Sequence, residues 1–329
     1  MKKWKVCAMV PTYNRKELVA ECLECILKQS VPVESIVLID NVSIDGTHEY
    51  LEQKGLLANP KIEYTRLPPP NKGSAGSYYE GIKRARDKDV DFVWLMDDDL
   101  FVKENTLEKL LEASEIVEAA GEKASYFAST VYTPNGNIGG GCDLNIRDKD
   151  GKRFCWYRYL DKGLVGIDRA VPLSLLIPKE AIVRCGNYCK HYFMWGEDTE
   201  YTLRLAKHFA SGYLVGASVA THRKVEKGSN PWDEKDKERL KNRYYAIRND
   251  SFNGRFYRHH STVAQFYRTC RSCLKFFGKP NGTYLAFQNM RGYIASLFCH
   301  KRFARYIENE LEQGRKAWEE QYGAKEAGV

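Results

Sequence analysis

No apolar run in this chain of 329 residues approaches the roughly 18 to 20 residues that a membrane-spanning helix needs. Internal repeats and low-complexity segments are absent too, so a repeat architecture is not indicated. The first residues, Met1 to Lys5, are basic, but the apolar stretch after them is broken by Pro11. That stretch is too short for a signal peptide and reads as a first strand. The expectation is a cytoplasmic protein with reduced thiols. Acid is scarce in one region. Between Arg239 and Arg305 there are fourteen Lys/Arg and one acid, Asp250, so this stretch carries +13 while the rest of the +8 chain carries −5. The charge belongs to the tail and implies a tail-specific partner.

Ten cysteines are present. Cys22 with Cys25, and Cys270 with Cys273, have the spacing of half zinc sites. Both pairs sit inside helix-periodic segments far apart in sequence, which favours buried free thiols.

Short apolar runs alternate with helix-periodic ones through the first half, the pattern of a βα-built, mostly parallel sheet. Strands are predicted at residues 6–10, 33–40, 62–67 and 92–96, with helices at 16–29, 47–54, 73–87 and 104–120. The helix at 16–29 places Leu18, Cys22, Cys25 and Ile26 on one face. The helix at 104–120 turns Leu107, Leu110, Leu111, Ser114 and Val117 inward. Residues 133–141 read as a loop. Strands are predicted at 173–177 and 213–219, around a helix ending near Phe209. From about residue 235 the pattern is helical and basic, giving a catalytic region 1–234 and a tail 235–329. In the helix at 261–277, Val263, Phe266, Tyr267, Cys270, Cys273, Leu274 and Phe277 form one stripe. Such a helix either packs on the catalytic domain or lies in a membrane interface.

The most informative string is Asp97, Asp98 and Asp99, which ends the apolar run Phe92 to Met96. A buried strand cannot carry three unpaired carboxylates into a core, so it must end there. Clustered hard oxygen ligands suit Mg²⁺ or Mn²⁺. Open α/β sheets bind ligands at the carboxyl ends of their strands. An isolated acidic triplet is equally what a solvated turn contains.

Three further landmarks accompany it: Val10 to Arg15 (Val-Pro-Thr-Tyr-Asn-Arg), Ile39 to Thr47 with Asp40, Asn41, Ser43, Asp45 and Gly46, and Trp195, Gly196, Glu197 and Asp198. In this order the four resemble an inverting family 2 glycosyltransferase of the GT-A type. The Leu-Met-Asp-Asp-Asp string, the loop Asn71 to Gly76, Thr221 with His222, and the string from Asn242 to Arg248 and Asn249 are similar to the branch holding bacterial galactofuranosyltransferases and rhamnosyltransferases. Ser74 and Ser77 stand where that branch often has glycine.

The resemblance implies a GT-A, Rossmann-like fold, a UDP-sugar donor and a divalent cation, Mn²⁺ or Mg²⁺. Asp97, Asp99 and His222 are the implied metal ligands, directly or through water, and Asp98 lies near the ribose or donor sugar. Pro11, Thr12, Asn14, Arg15, Asp40, Asn41, Gly73 and Gly76 are expected around the nucleotide. Asp40 can accept from a pyrimidine imide N–H, favouring UDP or dTDP, or can simply end a strand. Asp198 matches the position of the general base, or is a helix cap. Glu197 and Glu200 either substitute for it or orient it. Trp195, Trp156 and Glu200 are expected toward the acceptor.

The implied reaction is transfer of galactofuranose from UDP-galactofuranose to a glycan or lipid-linked acceptor in cell-surface polysaccharide synthesis. The alternative donor is dTDP-rhamnose. The tail then touches the anionic cytoplasmic face of a membrane or serves a homodimer. A nucleic-acid-binding tail would leave the acidic triplet unexplained, so no nucleic acid is expected. A nucleotidyltransferase would open with a Gly-rich, lysine-bearing loop, which residues 11–15 lack.

Overall fold

The structure is a computed structural model, and it describes residues 2–147, 150–223 and 230–326, with side chains described to residue 321. The elements in chain order are β1 (Val6–Thr12), α1 (Lys16–Leu27), β2 (Ser35–Asp40), α2 (Thr47–Gln53), β3 (Ile62–Arg66), α3 (Gly73–Arg86), β4 (Phe92–Leu95), β5 (Leu100–Val102) and α4 (Thr106–Ala119). The second half adds β6 (Phe127–Tyr132), β7 (Ile138–Gly139), β8 (Asp143–Leu144), β9 (Leu164–Arg169), β10 (Leu175–Pro178), α5 (Lys179–Cys185), α6 (Glu197–His208) and β11 (Gly212–His222). Three helices follow: α7 (Lys237–Arg258), α8 (Thr262–Lys275) and α9 (Gly282–Glu326).

One sheet runs β3-β2-β1-β4-β10-β6-β11-β9-β8, with β5 also on β11 and β7 on β6. β3, β2, β1 and β4 are mutually parallel, and β6 is parallel to β11, while β10 runs antiparallel between β4 and β6. Both faces are covered, as parallel strands require. Val6, Ala8 and Val10 of β1 face the core under α1 and α4, whereas Cys7 and Met9 face the one under α3, α5 and α6. This is the period-two alternation of a strand buried on both sides.

β1 continues through Pro11 and Thr12, beyond its expected end. The Met9 carbonyl accepts from Met96 N, so alternate positions 9 and 11 face β4. The β1–β4 pairing ends at Met9 and Leu95, so the missing N–H of Pro11 costs no ladder bond. In α1 the buried face is Val19, Ala20, Cys22, Leu23 and Ile26, rotated from the expected one, and Leu18 and Cys25 are only partly buried. The inward residues expected of α4 are all buried. Within the expected loop 133–141, β7 pairs briefly with β6. All ten cysteines are free thiols, and the two Cys pairs lie on different helices, α1 and α8.

The basic tail packs onto the catalytic region. Phe252 of α7 and Phe303 and Ile307 of α9 share a buried cluster with Ala75, Cys189 and Tyr192. α9 also crosses α5, where Glu310 accepts from Asn187 N at 2.8 Å. Helix α9 approaches α7 closely at Gly292, where an added Cβ would lie 2.7 Å from the Tyr244 carbonyl oxygen and 3.0 Å from Ile247 Cβ. Gly292→Leu should therefore lower stability by about 1–3 kcal/mol through overpacking, read as a lower urea midpoint at unchanged slope. An unchanged midpoint would show that α9 is not held to α7 as described.

Candidate active site

Strand ends create the site. β4 stops at Leu95, and the chain turns so that Asp97, Asp98 and Asp99 line a cleft of about 760 Å³ with Pro11, Thr12 and Arg15 of the β1 end. Thr12 Oγ1 donates to Asp98 at 2.7 Å. Arg15 bridges Asp98 at 2.7 Å and Asp99 at 2.9 Å. Tyr78 of α3 donates to Asp97 at 2.5 Å. His222 is brought in by register. The antiparallel β5–β11 ladder sets it opposite Leu100 and leaves Nε2 3.2 Å from Asp99.

One guanidinium faces three carboxylates. Burial and then the adjacent Asp99 push Asp97 up to about 7, and burial raises Asp98 despite Arg15. Such an excess of buried negative charge favours a cation. Among the described residues no group of three or more His, Cys, Asp or Glu is arranged to hold a metal. Asp97 accepts from Tyr78, Asp98 from Thr12 and Arg15, and Asp99 from Arg15, with His222 beside Asp99. A carboxylate with an imidazole fits Mn²⁺ or Mg²⁺ when substrate phosphates and water complete the shell. Asp97, Asp99 and His222, the expected ligands, all line this end of the cleft.

The second part of the site is the segment before α6. Phe193 (φ 69°) and Trp195 (φ 58°) are left-handed, and Gly196 (φ 93°) caps the helix. Non-glycine residues there are strained unless their surroundings hold them. They are held by α7 and α3. Arg248 donates to the His191 and Tyr192 carbonyls at 3.1 and 2.6 Å. Asn249 Nδ2 reaches the carbonyls of Met194 at 3.0 Å and Trp195 at 2.7 Å, and Asn253 reaches Gly196 at 2.8 Å. The Phe193 carbonyl accepts from Ala75 N at 3.0 Å. A Cβ at Gly73 would sit 2.0 Å from that carbonyl oxygen, so only glycine allows this approach.

The clamp places Glu197 and Asp198 in the cleft. Glu197 Oε1 accepts from Ser74, while the buried Oε2 has no protein partner. Burial, then the adjacent Asp198, raises the Glu197 carboxyl far enough to keep its proton at neutral pH. Burial raises Asp198 as well, with Arg169 opposing, and its Oδ1 accepts from Thr199 N at 2.7 Å. Asp198 is thus a half-buried carboxylate beside a protonated one, with raised basicity. Trp195, 38% exposed, stands at the mouth.

Several expected ligand residues serve the scaffold instead. Asp40 is fully buried, accepting from Ser43 N at 2.7 Å and Tyr64 OH at 2.6 Å, so it braces the turn after β2 and has no free edge for a base. Asn14 ties the same turn through Ser43 and Ile44. Asn41 lines the cleft but holds Asn71, Lys72 and Gly73 in place. Gly76 makes room for Lys72, whose Cβ is 2.4 Å from where its own would be. Trp156 lies against Gly166 of β9, away from the cleft lining. Glu200 is fully buried in an ion pair with Arg204 (3.0 Å) and accepts from Tyr257 at 2.6 Å. It cannot reach an acceptor. Nothing in the sequence marks Tyr78 or Asn253 as site-building, since a helix-face tyrosine and a lone asparagine carry no pattern. Arg248 and Asn249 belong to the string from Asn242 that carried part of the resemblance, though no site role was expected of them.

Residues 7–135 match the model of the Glycosyl transferase family 2 family. That stretch, the β1–β6 part of the sheet and its helices, is similar to the family 2 glycosyltransferase domain. A stretch of 114 residues is 31% identical to the putative teichuronic acid biosynthesis glycosyltransferase TuaG of Bacillus subtilis, covering 34% of this chain and 43% of that protein. Another, of 95 residues, is 30% identical to the galactofuranosyltransferase GlfT1 of Mycolicibacterium smegmatis, covering 29% and 30%. The chain thus spans less than half the length of these relatives. The crystal structure of GalNAc-T7 with UDP, GalNAc and Mn²⁺ superposes with a TM-score of 0.59 at 16% identity, over 94% of this chain and 57% of that one. S. aureus TarS 1-349 in complex with UDP gives 0.51 at 13% identity over 91% of both. At such identities these two establish the fold, which is GT-A.

Glu200→Ala leaves the buried Arg204 guanidinium without its carboxylate partner and should cost about 3–5 kcal/mol in urea unfolding. A cost below about 1 kcal/mol, the scale of an exposed pair, would contradict the scaffold role of Glu200.

Proposed function

We propose that the chain is an inverting, metal-dependent glycosyltransferase. In this reading it moves a sugar from a UDP-sugar, galactofuranose in the first instance, onto a glycan or lipid-linked acceptor in cell-surface polysaccharide synthesis. The observation that carries the reading is one cleft holding two unlike acidic centres. One is an under-neutralised strand end with His222, suited to a cation and a diphosphate. The other is Asp198 beside a protonated Glu197, suited to a base. UDP in the GalNAc-T7 and TarS structures supports the nucleotide, and the name of GlfT1 supports the sugar. The name of TuaG supports the surface-polymer acceptor.

Asp99 and His222 would hold Mn²⁺ or Mg²⁺, which when bound supplies Lewis-acid stabilisation of the leaving diphosphate. Pro11, Thr12, Asn41 and Gly73 form the cleft wall at the strand ends, where the nucleotide is expected. Arg15 keeps Asp98 and Asp99 oriented in that wall. Asp198 takes the proton from the acceptor hydroxyl as the new bond forms on the face opposite the leaving group. Glu197 keeps its own proton, so the pair does not place two adjacent charges in the cleft. Trp195 offers an apolar face on which an acceptor sugar can stack.

Asp198→Asn should lower kcat in a UDP-galactofuranose transfer assay by about 10²–10⁴-fold with donor KM nearly unchanged. Transfer at near wild-type rate would remove Asp198 as the base. The base acts ionised, and burial raises its pKa, so activity is lost as pH falls through that raised value. The acid limb of kcat in the wild type should lie above the ordinary aspartate value of about 3.9. A limb at or below it would contradict the buried-base assignment.

A further inference from the structure

Helix α8 is docked inside out. Its buried residues are Gln265 and Thr269. Gln265 donates to the Ser251 carbonyl at 3.0 Å and accepts from Arg255 at 2.7 Å. Ser272 accepts from Asn289 of α9 at 3.1 Å. Of the two placements expected for the apolar stripe, packing on the protein is not the one seen: Val263 is 78% exposed, Leu274 75% and Phe277 90%, with Phe266 and Tyr267 beside them. A water-facing helix normally shows the reverse.

Helix α9 adds to the exposed apolar surface, although its buried face is mixed and includes Leu285 and Tyr293. Gln288, Asn289 and Ser296 are buried, while Phe287, Ile294, Leu297 and Phe298 are exposed. The two helices are joined where Tyr293 donates to the Thr262 carbonyl at 3.0 Å and its ring meets Phe266 at 5.7 Å. Helical periodicity then puts both apolar rows on the side of this seam away from α7. Contiguous exposed apolar surface of this kind marks a docking face.

Charge selects the occupant. Between Asp250 and Glu308 there are ten Lys/Arg and no acid. Arg268, Arg271 and Lys275 flank the apolar row of α8, and Arg291 and Lys301 that of α9, all exposed. A second copy would bring two such basic rims together and repel. A nucleic acid would leave Val263, Leu274, Ile294 and Leu297 without a role. We infer that the outer face of α8 and α9 lies on an anionic lipid surface, with the apolar rows in the acyl boundary and the basic rims among acidic headgroups. Among the described residues no helix is long and apolar enough to cross a membrane, so the contact is peripheral.

The inference does not rest on the transferase reading, and its test reads vesicle binding rather than transfer. The full chain is floated with phosphatidylcholine vesicles, with and without phosphatidylglycerol. Binding should require phosphatidylglycerol and weaken with salt. The double variant Leu274→Glu, Phe277→Glu changes only exposed side chains. It should bind about tenfold more weakly or less at an unchanged melting temperature. Absence of binding to the anionic vesicles, or equal binding by the variant, would overturn the inference. So would a wild-type dimer in light scattering that the same two substitutions convert to monomer, which would assign the face to self-association.

Discussion

Every backbone carbonyl from His191 to Gly196 has a partner outside regular sheet structure, and most of those partners come from one helix. Arg248, Asn249 and Asn253 of α7 take the carbonyls on either side of Phe193, and α3 takes Phe193 itself. Buried carbonyls without partners would be costly, so this satisfaction lets the left-handed conformations of Phe193 and Trp195 persist. The position of Glu197 and Asp198 in the cleft follows from it. The basic tail is therefore no simple appendage. Its first helix holds the loop that carries the proposed base, and Tyr245, Asn242 and Lys241 from the same helix line the cleft.

The buried acids divide by whether they face the cleft or a closed set of protein partners. Glu200 has Arg204 and Tyr257 and forms a closed network with no spare capacity for a ligand. Asp40 has a backbone N–H and a phenol. Burial raises Glu200 as it raises Asp97, Asp98, Glu197 and Asp198, but only the last four line the cleft. Raised acids in one cleft are the pattern of a site in which charge is supplied by what binds. Cleft access and hydrogen-bond partners separate ligand residues from scaffold residues better than motif membership does, since Asp40 and Glu200 lie within or beside motifs yet are closed off from the cleft.

The parallel half of the sheet was legible because its strands are short apolar runs ended by turn residues, and its helices carry periodic apolar faces. The cleft was legible for a related reason. Acids at the end of an apolar strand have nowhere to go but a strand end. What periodicity could not show was direction. Asp40 lies at such an end, but the pairing with Tyr64 depends on β3 lying beside β2. The stripe on α8 was read correctly as one face, yet the side it turns to the protein is set by Ser251 and Arg255 of α7 and Asn289 of α9, which the periodicity of α8 alone does not show. Glu200 and Asp198 are two positions apart on α6, and only the rotation of that helix against α7 sends one into the core and the other into the cleft.

The central claim is that the cleft receives a nucleoside diphosphate together with a divalent cation. Calorimetric titration with UDP, dTDP and GDP, each with and without Mn²⁺, tests it most directly. Binding of UDP that requires Mn²⁺ and is lost in Asp99→Ala is the predicted result, and preference for dTDP would turn the donor toward deoxysugars such as rhamnose. Failure of all three nucleotides to bind under either condition would contradict the account.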